Sequence, residues 1–166
     1  MTQRQASGHP PDQLAALRDC LARAYGDLDH PTWHFVTEMA ARQPYADVLR
    51  RLRADGEVTD DTDVNCDVSF TYLARRRRYL TVRLSMVGPY AAILSSGADG
   101  LGPFQVISTR DQCADASEQA IFDLVSRSGF VILSREELQE RMPISLRETG
   151  RPSTVYAAFF EPDGHI

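Results

Sequence analysis

Six carboxylates lie within one short stretch of the chain and have the clearest capacity for charge-based recognition. They are Asp55, Glu57, Asp60, Asp61, Asp63 and Asp67, and no basic residue interrupts them. The formal net charge is −5, so the rest of the chain is nearly balanced. Concentrated negative charge attracts basic proteins and repels the phosphate backbone of nucleic acids. We therefore predict that the five acids before Asp67 bind a protein partner, for which a basic surface is complementary, and that general nucleic-acid binding is absent.

The plain alternative is that this acidic stretch is solvated and has no partner. Residues 55–63 contain a single apolar residue, Val58, and so have little to anchor them in a core. Their like charges also repel one another. Either way, the stretch is predicted to be an exposed and mobile loop.

The spacing of candidate ligands favours neither a metal site nor a cofactor. His30 and His34 lie four residues apart and could face one ion, but no third ligand accompanies them. The acids lack the alternate spacing and central glycine of a calcium-binding EF-hand loop. The chain has no G-x-S-x-G or G-x-G-x-x-G motif, and without lysine it has no phosphate-binding loop of the lysine type. No catalytic residue, cofactor or metal is predicted.

The three cysteines are predicted to be free thiols, because they are odd in number and contain no C-x-x-C pair. Cys20 and Cys66 fall on or near apolar faces, which favours core packing. Cys113 directly precedes a predicted helix. Since a helix N-terminus lowers the pKa of a thiol, Cys113 is the cysteine expected to be most reactive.

Four consecutive arginines, Arg75 to Arg78, could bind phosphate. At the tip of a hairpin, however, their side chains would point to different sides, and a solvated turn that protects the sheet edge is the favoured interpretation. All 18 basic residues are arginine. This bias is typical of high-GC coding and suggests a bacterial source.

Helical spacing of apolar residues predicts three helices in the first third of the chain. Asp12 is the expected N-cap of the first, which ends at Gly26. The second opens with Asp29 as cap and Pro31 in its first turn. The third begins near Tyr45 and ends at Gly56.

The apolar period then changes from helical to alternating. Residues 64–72 are predicted to form a strand with one buried and one wet face. Residues 79–86 continue as a second strand and make a hairpin with the first, with the arginines at its turn. Residues 90–94 form a third strand, and residues 104–107 a weaker fourth.

The last third of the chain mixes short elements. Asp115 with Glu118 three residues later predicts a helix start, and Ser134 with Glu137 predicts another. A brief strand is expected at residues 130–133 between these helices. The final prediction is a strand from Thr154 to Phe160, because the segment is rich in Val, Tyr and Phe.

Together these elements predict an α+β fold. N-terminal helices are followed by an antiparallel sheet of about four to five strands, with a further helix packed on one face. Residues 1–11 are expected to be a flexible tail and residues 12–166 a single α+β domain. No apolar run is long enough to span a membrane and no signal peptide is visible, so a soluble cytoplasmic protein is expected.

The predicted function is that of a non-enzymatic protein-binding protein. Its most specific form is a cytoplasmic immunity or inhibitor protein that neutralises a basic toxin or enzyme through the acidic surface. One alternative is a small enzyme with a dispersed site, for which Arg83, Tyr90, His34 and Glu38 are the first candidates. The other is a structural or oligomerisation subunit with an apolar patch on its sheet. The sequence specifies no oligomeric state.

Overall fold

A computed structural model describes residues 11–97, 99–100, 103–146 and 153–166. The helices are α1 (Pro11–Tyr25), α2 (His34–Arg42), α3 (Ala46–Ala54), a 3-10 turn (Arg110–Gln112), α4 (Ala116–Arg127), α5 (Arg135–Gln139) and α6 (Val155–Phe159). The strands are β1 (Val58–Asp60), β2 (Ser69–Arg75), β3 (Tyr79–Ser85), β4 (Tyr90–Ser96), β5 (Gln105–Val106), β6 (Val131–Ile132), β7 (Arg141–Met142) and β8 (Ser153–Thr154). The α+β prediction is confirmed. Except for Pro11, the expected N-terminal tail lies outside the described residues.

The main sheet has six strands and is mostly antiparallel, in the order β1-β2-β3-β4-β5. β6 also pairs with β4, and this pairing is parallel, which the sequence prediction did not contain. The predicted hairpin is confirmed: Tyr72 lies opposite Val82 and Arg75 opposite Tyr79. The arginine run therefore forms its turn. β7 and β8 make a separate two-stranded sheet.

The first helices are confirmed, but two predicted starts are wrong. α1 begins at Pro11, so the expected cap Asp12 lies within the helix. α2 begins at His34 and not at Pro31, because the chain between the two helices folds back onto α1. The Asp27 carboxylate accepts a hydrogen bond from the Asp29 N–H at 2.9 Å, and the Thr32 N–H donates to the Tyr25 carbonyl at 3.0 Å.

The acidic stretch is only partly a loop. β1 lies inside it and pairs with β2, with Asp60 opposite Tyr72. Conversely, the predicted strand at residues 64–72 begins only at Ser69, because the preceding residues form a turn. In that turn the Asp63 carbonyl accepts hydrogen bonds from the N–H groups of Cys66, at 3.1 Å, and Asp67, at 2.7 Å. These bonds bend the chain before β2.

The segment predicted as a final strand is the helix α6. Thr154 is its N-cap, with the hydroxyl accepting a hydrogen bond from the Ala157 N–H at 3.2 Å. All five residues of α6 are buried, so no alternation of polar and apolar positions marks its structure. Its aromatic and β-branched residues resemble those of a buried strand, and the cap together with two alanines favours the helix instead.

The carbonyl groups at the end of α6 attach the helix to the rest of the core. The Tyr25 hydroxyl donates to the Ala158 carbonyl at 2.8 Å and the Ser85 hydroxyl to the Phe159 carbonyl at 2.7 Å. Helix ends leave such carbonyls without partners in the helix itself. α6 is therefore hydrogen-bonded to both α1 and the sheet. Within the described residues, no helix combines the length and apolar character needed to cross a membrane.

The cap of α6 allows a first test. Thr154→Ala should lower the free energy of unfolding by about 1 kcal/mol, because the Ala157 N–H loses its acceptor. Thr154→Ser keeps the hydroxyl and should retain most of that stability. Urea denaturation followed by circular dichroism measures both values. Equal losses in the two variants would contradict the capping role.

Candidate functional site

Five carboxylates form an exposed strip along the outer strand of the sheet. They are Asp55, Glu57, Asp60, Asp61 and Asp63, and each is exposed. β1 lies at the end of the strand order and carries the middle of the strip, which we call the acidic edge. The structure therefore keeps together the five residues that were predicted from sequence as a partner-binding surface.

Two members of the acidic edge also shape their own turn. Asp60 Oδ1 accepts hydrogen bonds from the Thr62 N–H at 3.1 Å and the Thr62 hydroxyl at 2.6 Å. Asp63 Oδ1 accepts from the Asn65 N–H at 2.9 Å. The Asn65 backbone hydrogen bond lowers the pKa of Asp63, which therefore stays ionised at neutral pH. Both carboxylates are exposed while they support the turn.

The sixth acid, Asp67, does not belong to the surface. It is buried, and its Oδ2 lies 3.2 Å from Arg83 Nη1. Burial raises the pKa of Asp67, although the charge of Arg83 opposes the rise. The predicted wet face of β2 is wrong for the same reason: Ser69 and Thr71 are also buried. The Phe160 carbonyl, which follows α6, accepts a hydrogen bond from Ser69 Oγ at 3.1 Å. Residues 153–166, which we call the C-terminal segment, therefore cover this face.

Arg83 is the centre of a network of buried and partly buried polar groups. Its Nη1 donates to Thr71 Oγ1 at 3.2 Å as well as to Asp67, and its Nη2 donates to Glu161 Oε2 at 3.0 Å. The Tyr156 hydroxyl donates to the same Glu161 oxygen at 2.9 Å. The Arg83 side chain is only 12% exposed, and its Nε–H has no partner among the described residues. Burial raises the pKa of Tyr156, so its hydroxyl stays protonated.

A cavity of about 350 Å³ lies beside this network, and we call it the Arg83 cavity. Its polar wall includes Asp61, Thr81, Arg83, Tyr156, Glu161 and His165. Its apolar wall includes Leu73, Leu94, Phe104 and Ile166. The floor comes from β2, β3 and β4, and the C-terminal segment supplies the opposite side. Sequence analysis singled out Arg83 by residue type but missed Tyr156 and Glu161, which no motif marks.

A second cavity, of about 430 Å³, lies on the other side of the turn at residues 60–65, which we call the acidic turn. We call it the Trp33 cleft; its lining includes Trp33, Val36, Val64, Cys66, Leu146 and Pro162. Trp33 is 38% exposed and Val64 is 44% exposed. The Trp33 ring packs edge-on against Tyr25, with centroids 5.3 Å apart. Since Asp61 lines the Arg83 cavity and Val64 lines the cleft, the acidic turn separates the two.

The other residues proposed for a dispersed enzyme site lie elsewhere. Tyr90 lines a groove of about 540 Å³ with Cys20 and Arg23. His34 and Glu38 are exposed on α2. None of these three lines the Arg83 cavity. The structure therefore does not assemble the four candidates into one site.

The cysteine predictions are only partly confirmed. Cys20 is buried, as expected from its apolar face, whereas Cys66 is exposed in the turn before β2. Cys113 is partly buried before α4. Burial raises the pKa of the Cys113 thiol, and the nearby Glu118 carboxylate raises it further. The expected activation by the helix N-terminus is wrong, because these two effects dominate.

The arginine turn is not simply solvated. Arg75 and Arg77 are exposed, but Arg76 folds back and donates from Nη1 to the Glu57 carbonyl at 3.2 Å. Arg78 extends toward α4 and pairs with Glu118. Its Nε donates to Glu118 Oε1 at 2.8 Å and its Nη2 contacts Oε2. The hairpin tip is therefore fixed at two points.

Glu118 is a buried carboxylate, with a side chain that is 0% exposed. The Ala114 N–H also donates to its Oε2 at 2.7 Å. Burial acts to raise the pKa of Glu118, but the hydrogen bonds from Arg78 and Ala114 and the charge of Arg78 outweigh burial, so the pKa is lowered. This pair links the hairpin to the start of α4.

Within residues 11–97, 99–100, 103–146 and 153–166, no three His, Cys, Asp or Glu side chains group as metal ligands. The structure instead provides an exposed acidic edge between two cavities, one with a polar network and one with an exposed aromatic ring. Comparisons with protein-family models, with curated proteins and with solved structures give no match, so the chemistry of these surfaces is the basis for inferring function.

Proposed function

We propose that this protein is a non-enzymatic binding protein that recognises a basic protein partner through the acidic edge. Its most specific form is a cytoplasmic immunity or inhibitor protein. The observation that carries the proposal is the position of five exposed carboxylates on an outer strand and its turn, next to a cleft with an exposed tryptophan. Such a surface offers both long-range attraction and a short-range anchor.

The charge of the acidic edge is available to a partner. Among the described residues, none of its five carboxylates takes part in a salt bridge. Arg76 of the hairpin turn donates to the backbone carbonyls of Glu57, Arg75 and Leu52 instead. A positive surface docking here would therefore gain charge pairs without breaking existing ones.

The Trp33 cleft supports the same function. Tryptophan is among the residues that most often dominate binding energy at protein interfaces, particularly when polar groups surround it. Trp33, Val64, Phe104 and Val131 are the exposed large apolar residues of the described chain, and the first two line this one cleft. This distribution favours a local binding site over a broad oligomerisation face on the sheet.

Removal of three charges tests the proposal. In the variant Asp60→Asn, Asp61→Asn, Asp63→Asn, each new amide keeps a carbonyl oxygen, so the turn made by Asp60 and Asp63 is retained. The tagged protein captures its partner from a native lysate, and the purified partner is titrated calorimetrically at two salt concentrations. We expect the triple variant to bind at least about tenfold more weakly, because close charge pairs across interfaces contribute more than 1 kcal/mol each. Binding of the unaltered protein should weaken as salt rises.

A matched control changes three exposed acids elsewhere: Asp111→Asn, Glu136→Gln, Glu140→Gln. It has the same net charge as the test variant and should bind normally. Trp33 is the sole tryptophan of the chain, so its fluorescence reports whether the partner covers the cleft. Equal affinity in both triple variants, or a captured partner that is acidic, would refute recognition through the acidic edge.

A small enzyme is the second candidate, favoured by the Arg83 cavity. The cavity places a buried arginine, a protonated tyrosine and a carboxylate side by side, which is a common arrangement in sites for small molecules. A substrate would occupy this cavity without requiring the acidic edge. The ligand chemistry of the cavity therefore distinguishes the two candidates.

A further inference from the structure

We propose that the Arg83 cavity binds an alkyl cation, namely the guanidinium or ammonium end of an arginine or lysine side chain that the basic partner presents. The inference rests on the proposed function and adds where on the surface, and by which groups, one partner side chain is held. Four features carry it: the charge balance around Arg83, the Glu161 Oε1 atom that neither Arg83 nor Tyr156 uses, the apolar wall, and the shared position of Asp61.

The charge balance of the lining disfavours an anion in spite of the arginine. Arg83 bridges two carboxylates, Asp67 at 3.2 Å and Glu161 at 3.0 Å. Of these two only Glu161 lines the cavity, and Asp61 is the second carboxylate of the lining. Apart from His165, the charged side chains that line the cavity are thus one cation and two anions, and the cation is also paired with Asp67. A ligand with positive charge restores the balance, whereas a carboxylate or phosphate would add to the excess.

Glu161 is held in place for such a ligand. Arg83 Nη2 and the Tyr156 hydroxyl both donate to its Oε2, so neither uses Oε1. The side chain is 35% exposed and lines the cavity. Gly164 lets the chain pass closely over this pair, since a Cβ there would lie 2.7 Å from Glu161 Oε2 and 2.6 Å from Tyr156 Cε1. A carboxylate fixed by two donors loses little freedom when it accepts a third.

The apolar wall fits the stem of the same ligand. Leu73 and Leu94 line the cavity, and Phe104 lines it with 49% of its surface still exposed. An exposed aromatic face attracts guanidinium and ammonium groups. Long basic side chains bury their methylene groups against apolar surface in this way. The volume of about 350 Å³ accommodates one such side chain.

Asp61 connects the cavity to the proposed interface. It is a member of the acidic edge and also lines the cavity. A basic partner docked along β1 and its turn is therefore adjacent to the cavity mouth, within reach of one extended side chain. A free small amine would make the same contacts in the cavity, but its binding would not depend on the other carboxylates of the acidic edge.

The test uses the isotope-labelled protein and n-butylguanidinium, with amide shifts near Thr81 and Gly164 followed by NMR. We expect saturable shifts with a dissociation constant of about millimolar order, as a fragment of this size allows. The neutral isostere n-butylurea should bind at least about fivefold more weakly and butyrate should not bind. Glu161→Gln and Asp61→Asn should each weaken guanidinium binding by roughly threefold, as for partly exposed pairs. Asp111→Asn is the control and should have no effect.

Equal binding of butylurea, binding of butyrate, or the absence of saturable shifts would overturn the inference. Unchanged guanidinium binding in both Glu161→Gln and Asp61→Asn would also overturn it. Two variants are used so that a folding defect in one of them does not decide the test. The captured partner supplies a further test: butylguanidinium at about ten times its dissociation constant should weaken partner binding roughly tenfold if a partner side chain fills the cavity. If the fragment binds but leaves the partner's affinity unchanged, the cavity takes a free amine and the inference is wrong. This outcome leaves the role of the acidic edge to be judged by its own triple variant.

Discussion

Replacing Arg78 with methionine should lower the free energy of unfolding by about 3–5 kcal/mol at neutral pH, because it strands the buried carboxylate of Glu118. Arg78 supplies the counter-ion and two of the hydrogen bonds that this side chain receives. With only the Ala114 N–H left as donor, ionised Glu118 would be both desolvated and unpaired. Urea denaturation at pH 7 measures the loss.

Arg77→Met is the matched control, since it removes the same charge from the same turn. Arg77 is exposed, so its replacement should change stability by no more than about 0.5 kcal/mol. Equal effects of the two substitutions would show that the buried pair contributes nothing specific.

The pH dependence provides an independent check on Glu118. Its pKa in the folded protein lies below its ordinary value of 4.5, so it contributes stability above that value that is lost as the pH falls through the folded pKa. Without Arg78, burial dominates and the folded pKa rises instead. The deficit of Arg78→Met should therefore shrink as the pH falls toward that raised pKa. A deficit that is constant between neutral and acidic pH would contradict this account.

The second large effect is expected at Arg83. Arg83→Met should cost about 3–4 kcal/mol at pH 7, because it leaves Asp67 buried without a cation. Adding Asp67→Asn removes the stranded charge and should restore more than half of the loss. A double-mutant cycle from urea denaturation gives the coupling energy directly. If the double variant is no more stable than Arg83→Met, lost packing explains the effect and lost charge does not.

The contribution of Asp67 to stability should change with pH in the opposite direction to that of Glu118. Its folded pKa is already raised above the ordinary value of 3.8, mainly by burial. Its contribution to stability is therefore complete below that ordinary value and is lost as the pH rises through the folded pKa. In Arg83→Met the folded pKa should rise further, so this variant should recover stability on acidification over a wider pH range.

The sequence was most informative where one side of an element is buried and local contacts define it. Phe70, Tyr72, Leu80, Val82 and Leu84 were predicted in one antiparallel hairpin because alternation and the short arginine turn act together, and the register confirms it. The capping box of Ser134 and Glu137 located α5 for a similar reason. Both signals lie within a few residues of the structure that they specify.

Predictions failed where distant segments decide the environment. Ser69 and Thr71 are typical of a wet strand face, but the C-terminal segment covers them. Thr154 to Phe160 has the composition of a strand, yet burial on all sides removes the alternation that would have separated strand from helix. For the candidate site, the exposed acids were found from charge alone. The Arg83 network was not, since Arg83 and Glu161 are 78 residues apart in sequence.

The same sequence separations set the order in which parts of the molecule can form. The strands from β2 to β4 pair through short turns, so their loop-closure entropy is small. The C-terminal segment joins Ser69 to Phe160, 91 residues apart, and Tyr25 to Ala158, 133 residues apart. Contacts this distant favour late formation during folding. Asp67 and Arg83 therefore remain hydrated during folding until this segment packs over them.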